Sequence, residues 1–80
     1  MPRFYFHIHN HIVAEDDEGT ELADAAAARD FAVNGARDLV CESVHEGRLN
    51  LDHYIRVTDA DGQDVLTVTF REAFIIEGMR

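Results

Sequence analysis

The sequence predicts an α+β fold: β-hairpin, one long helix, β-hairpin, folded as a two-layer sandwich. The helix lies on one face of a four-stranded, mostly antiparallel sheet. Three observations lead there. Residues 3–9 alternate strictly between two faces. An alanine-rich run beginning at Ala25 carries an apolar repeat of helical period. Near the end, "YIRVTDADGQDVLTVTF" is two alternating runs around a turn signal. No internal repeat, low-complexity tract or linker interrupts the chain, so residues 1–80 read as one small domain.

In the first run, Phe4, Phe6 and Ile8 fall on one face and Tyr5, His7 and His9 on the other, the period-two pattern of a half-buried strand. A turn near His9 to His11 leads to a short second strand at about 12–15, with Asn10 suited to a left-handed turn position. The acidic stretch "EDDEGTELAD" then reads as a solvated loop that complements the helix N-terminus electrostatically. Asp24 is the predicted N-cap, and Gly47 sits where a left-handed C-cap belongs. Between them, Ala25, Ala32, Val33, Ala36, Leu39, Val40 and Val44 fall within one arc, with Leu39 and Val40 expected deepest. Phe31 lies on the flank of that arc, where it covers the edge of the core.

In the second hairpin, Ile55, Val57, Leu66, Val68 and Phe70 join Phe4, Phe6 and Ile8 as the sheet's contribution to the core. The opposite face then shows Tyr5, His7, Tyr54, Arg56, Thr58, Val65, Thr67 and Thr69. One helix covers only one face of a sheet, so this second face meets water or a partner. The last ten residues, "REAFIIEGMR", fit either a frayed turn or a short strand.

Three stretches together, "RFYFHI", "EDDEGTELADAAAAR" and "IRVTDADGQDVLTVTFREA", resemble an uncharacterised family of small bacterial proteins, a domain of unknown function. The resemblance spans nearly the whole chain. His7 falls where that pattern usually carries histidine, whereas His9 and His11 fall where it varies. Prolines are usual where this chain has Ala23 and Thr69; without the second, Thr69 keeps a backbone donor that can extend the last strand. The resemblance implies no activity, cofactor or partner.

Charge and composition exclude several roles. Seven basic residues against sixteen acidic ones give a net charge of −9, and every basic residue is an arginine. The arginines are scattered singly, so the phosphate neutralisation that drives nucleic-acid binding is lacking, and an anionic membrane is no better a partner. Abundant alanine and arginine without lysine suggest a bacterium with a GC-rich genome. No apolar run approaches the roughly 20 residues of a membrane span, and "MPRFYFH" lacks a signal-peptide core. A single cysteine, Cys41, suits a reducing compartment, so the expected location is the cytoplasm.

The chemistry-bearing residues are few. His7 and His9 project from one strand face, and with His11 beyond the turn they are the candidate metal ligands; His53, Glu15, Asp16 and Asp17 are the residues that would complete such a shell. Two imidazoles alone leave a tetrahedral ion half coordinated, so an ordinary polar strand face is the leading reading. "DADGQD" has its glycine at the fourth position, where a calcium loop of the helix–loop–helix type needs it at the sixth, and reads as a turn. Cys41 and His45 stand one helical turn apart with no oxyanion-hole signal beside them, and no phosphate-binding glycine loop is present. The expectation is a protein without catalytic activity or cofactor, an acidic interaction module that self-associates as a homodimer or meets an unknown protein partner. Its interaction face is Tyr5, Tyr54, Arg56 and Val65. The alternatives are a metal-binding protein using His7 and His9, and an antitoxin-like or nucleic-acid-mimicking inhibitor, for which the negative charge suits a basic target.

Overall fold

Strand β1 (Arg3–His9) forms where the alternation places it, and it is paired on both sides. The computed structural model describes residues 1–75, 77 and 78. On one side β1 runs antiparallel to β4 (Tyr54–Thr58), in a register from Tyr5 opposite Thr58 to His9 opposite Tyr54. Strand β5 (Asp64–Thr69) continues the sheet beyond β4, also antiparallel. The other edge of β1 is covered by two short strands, β2 (Val13–Ala14) opposite Ile8 and His9, and β3 (Thr20–Glu21) opposite Arg3 and Phe4. The architecture is the expected α+β sandwich with an additional fifth strand, β3, formed because the acidic stretch folds back along β1.

The first turn is made differently from the expectation. Among the described residues only glycines have positive φ, so Asn10 is not left-handed. Its side-chain oxygen instead accepts from the Ile12 N–H at 3.1 Å, closing a side-chain-mediated turn.

Helix α1 (Ala25–His45) is bounded as its caps predict. The Asp24 carboxylate accepts from the Ala27 N–H at 2.8 Å. At the far end Gly47, at φ +85°, lets its N–H reach the Val44 carbonyl and the Arg48 N–H reach that of Ser43. That pair of bonds is the Schellman closure, and it satisfies carbonyls the helix leaves open. The buried face is Ala28, Ala32, Ala36 and Val40, a row at intervals of four. The predicted arc is therefore rotated: Ala25 and Val44 are exposed, Leu39 is only half-buried, and Ala28 joins the core. Three alanines in that row let the helix backbone come close to the sheet, which moves Leu39 off the contact line and onto its flank.

The sheet supplies Phe4, Ile55, Val57, Val68 and Phe70 to the core, and Phe6, Ile8 and Leu66 pack around it. Phe31 covers this layer's edge, its ring 4.7 Å from that of Phe6. After β5 a 3₁₀ turn (Arg71–Ala73) buries Ala73, whose carbonyl accepts from Arg37 Nε at 2.8 Å. The last ten residues thus begin as a turn; positions 76, 79 and 80 lie outside the described residues. The Thr69 N–H does not lengthen a ladder but is taken by the Glu72 carboxylate at 3.3 Å.

Candidate functional site

The side of the sheet away from α1 divides into two ends. Alternation sends Arg3, Tyr5, His7 and His9 of β1 to this side, opposite Thr58, Arg56 and Tyr54 of β4. At the end carrying Arg3 and Tyr5, the 15–19 loop folds onto the strand. Asp16 is its anchor: one carboxylate oxygen accepts from the Phe6 N–H, the other from the N–H groups of Glu18 and Gly19, each at 3.1 Å. Phe6 points its N–H away from β4, so Asp16 satisfies the edge of β1 in the gap between β2 and β3. Gly19 lies against Arg3 and Tyr5. A Cβ there would sit 2.8 Å from Arg3 Cγ and 2.9 Å from the Tyr5 ring, and φ is +73°, so glycine is required twice over.

His7 ties this loop to the sheet. Its Nδ1 accepts from the Asp16 N–H at 3.1 Å, which assigns the ring proton to Nε2, and Nε2 lies 2.9 Å from Thr58 Oγ1. Thr58 is buried, unlike the exposed position the alternation assigns it. Burial of the Asp16 carboxyl pushes its pKa up. The N–H groups of Gly19, Phe6 and Glu18 outweigh that and hold it below the ordinary carboxylate value.

The other end has no such loop over it among the described residues. His9 stacks on Tyr54, with ring centroids 4.6 Å apart and planes 10° from parallel, and both are half-buried. His9 Nε2 is buried without a hydrogen-bond partner among the described residues. Arg56 meets Asp64 at 2.8 Å in an exposed ion pair. Thr67 is exposed and Thr69 half-buried.

Of the predicted interaction residues, Tyr54 and Arg56 stand at the uncovered end. Tyr5 lies under Gly19 instead. Val65 leaves the face because the pairing slips by one residue between Val57 and Thr58: Val57 faces Leu66, whereas Thr58 faces Asp64. Val65 is the extra residue of this bulge, and it packs against the core beside Leu66.

The histidines do not converge. Both ring nitrogens of His7 are engaged, His9 stacks on Tyr54, and His11 packs edge-on against His53 with centroids 4.9 Å apart. Among the described residues no group of three or more His, Cys, Asp or Glu side chains is placed to hold a metal ion. The predicted set of His7, His9 and His11 is therefore three separate environments, because the turn carries His11 toward the start of β4. The pairing of His11 with His53 spans the whole helix in sequence and had no local signal. Asp16 had one, an Asp three residues before a glycine, which is the pattern of a side-chain-capped turn.

Asp59 behaves as Asp16 does. Its carboxylate accepts from the N–H groups of Asp61 and Gln63 at 2.9 and 3.0 Å, so the calcium-like "DADGQD" is a self-capped hairpin turn. Cys41 is exposed on the outward side of α1, in an open groove with Asp38, Glu42, His45 and Glu46. No helix among the described residues is long and apolar enough to cross a membrane.

Fold and face define a small single-helix α+β sandwich with one strapped and one open end to its second sheet surface. The chain belongs to the family described as Domain of unknown function (DUF6894), whose model matches residues 3–71. No curated protein and no solved structure matches it.

Proposed function

We propose that this chain is a non-catalytic, acidic interaction module of the bacterial cytoplasm that works as a homodimer. The observation that carries the reading is the end of the second sheet face where the stacked His9–Tyr54 pair and Arg56 border a strand, β5, with no neighbour on its far side among the described residues. Strand edges and aromatic-bearing sheet surfaces are normally paired or covered. The thin core argues the same way: four of its ten buried apolar side chains are alanines from α1 and the 3₁₀ turn's Ala73, and α1 adds only Val40 besides. Small domains with little core commonly gain stability from a partner subunit.

Sedimentation equilibrium of untagged protein at tens of micromolar tests this. The expected mass is twice the chain's 9.0 kDa. A mass equal to one chain throughout that range refutes the reading.

A further inference from the structure

We infer that two copies join through β5, edge to edge and antiparallel about a two-fold axis near Thr67, giving one continuous sheet. The inference rests on the homodimer reading and specifies its seam.

The two edges of this sheet are in opposite states. The outer side of β1 is lined by β2, the 15–19 loop and β3. The Pro2 carbonyl takes the Leu22 N–H, Phe4 faces β3, the Phe6 N–H is held by Asp16, and Ile8 faces β2. Along β5 the Phe70 N–H bonds the His53 carbonyl at 2.8 Å. Antiparallel ladders alternate, so Val68 and Leu66 also bond β4, while Thr67 and Thr69 point their peptide groups away from it. Glu72 caps the Thr69 N–H, and that leaves the exposed Thr67 as the centre of a strand edge that is free among the described residues.

Among the described residues β5 is the one long open edge, β2 and β3 being two residues each, so edge pairing between copies matches β5 with β5, an isologous contact that closes at two chains. Charge sets the direction of the pairing. The chain carries −9, yet the only charge within β5 is Asp64 at its start. Antiparallel pairing sets the acidic end of one copy, with Asp59, Asp61 and Asp64, beside the charge-balanced end of the other, where Arg29 pairs with Glu72 and Arg71 with Asp52. Parallel pairing would set the acidic ends together. With Thr67 opposite its own copy, the two residues exchange a pair of N–H···O bonds, and threonines face each other across the seam, a favourable cross-strand pair.

Two substitutions test the seam. Thr67→Pro removes the outward donor without touching the bonds to β4, and Thr67→Glu places two carboxylates opposite each other while leaving every backbone group in place. Each is expected to weaken dimerisation by about a hundredfold or more, read by sedimentation. Glu42→Arg, exposed on the outward side of α1, is expected to leave the dimer intact. In the wild type, the Thr67 amide is expected to gain hydrogen-exchange protection as concentration rises through the dimerisation range. A dimer that survives Thr67→Glu but is lost in Glu42→Arg overturns the seam and keeps the homodimer reading. An unprotected Thr67 amide in a wild-type dimer also overturns the seam alone. A monomeric wild type refutes both.

Discussion

The two ends of the sheet's second face follow one sequence rule and reach opposite fates. Tyr5 and Tyr54 are both aromatics on that face, each followed two residues later by a nitrogen-bearing side chain, His7 and Arg56. Yet Tyr5 lies beneath Gly19 and its neighbour Thr58 is buried, whereas Tyr54, also half-buried, is stacked on the His9 ring. The difference is the 15–19 loop, and the loop stays because of polar bonds rather than apolar contact. Asp16 and His7 supply four hydrogen bonds to backbone groups, three accepted by the carboxylate and one by the imidazole. Whether one end of a sheet face is surface or interior can thus rest on a single carboxylate.

The largest expected effect sets the scale for both ends. Phe70→Ala removes the largest fully buried side chain of the core and should cost about 3–5 kcal/mol in a denaturant titration. The loop-covered end is next. Gly19→Ala should cost about 2–3 kcal/mol, combining left-handed strain with overlap against Arg3 and Tyr5. The matched control is Gly62→Ala, at a similar φ of +80° but with nothing within 4 Å, which should cost only about 1 kcal/mol. Equal losses would show that the strap does not press on the strand.

Asp16→Asn keeps the shape of the loop anchor but removes its charge, for an expected loss of about 1–2 kcal/mol near neutral pH. The pH dependence has a definite sign. The Asp16 carboxyl is held below its ordinary value in the fold. Its contribution is therefore fully present above the unfolded carboxylate range and is lost as pH falls through the folded value. Wild type and Asp16→Asn should accordingly converge in stability in strong acid; a gap that stays constant across the acid range would contradict the anchoring role. At the open end, Arg56→Ala should shift stability by no more than about 0.5 kcal/mol, because its partner Asp64 is exposed and the pair is screened by water.

Much of the fold was legible in local signals. Alternation located β1, β4 and β5, and Asp24 and Gly47 bounded the helix to within a residue. The misread parts depend on contacts distant in sequence. The helix face was rotated because alanine weighs little in an apolar arc, yet the stripe of Ala28, Ala32 and Ala36 decides which side sits closest to the sheet. Val65 left its face because of a one-residue bulge beside the Asp59 turn, and alternation alone carries no trace of such a slip. His7 was visible as a strand residue, but its bond to Asp16 exists only once the acidic stretch has folded back across the edge of β1. The candidate surface is therefore partly legible: Tyr5, Tyr54 and Arg56 lie on the face that alternation assigns them, Tyr5 under a loop that alternation does not foresee, and Val65 does not.

The alanine stripe has a thermodynamic consequence of its own. A buried leucine or methionine gives up rotamer freedom on folding, whereas alanine has none to lose. A helix seated on Ala28, Ala32 and Ala36 therefore docks with little ordering of its side chains, and the motional cost of forming this core falls mainly on Phe4, Ile55, Val57, Val68 and Phe70 of the sheet. On this account methyl groups on the helix side should be rigid in the native state mainly through the backbone that carries them, and side-chain relaxation should differ between the two layers even where both are equally buried.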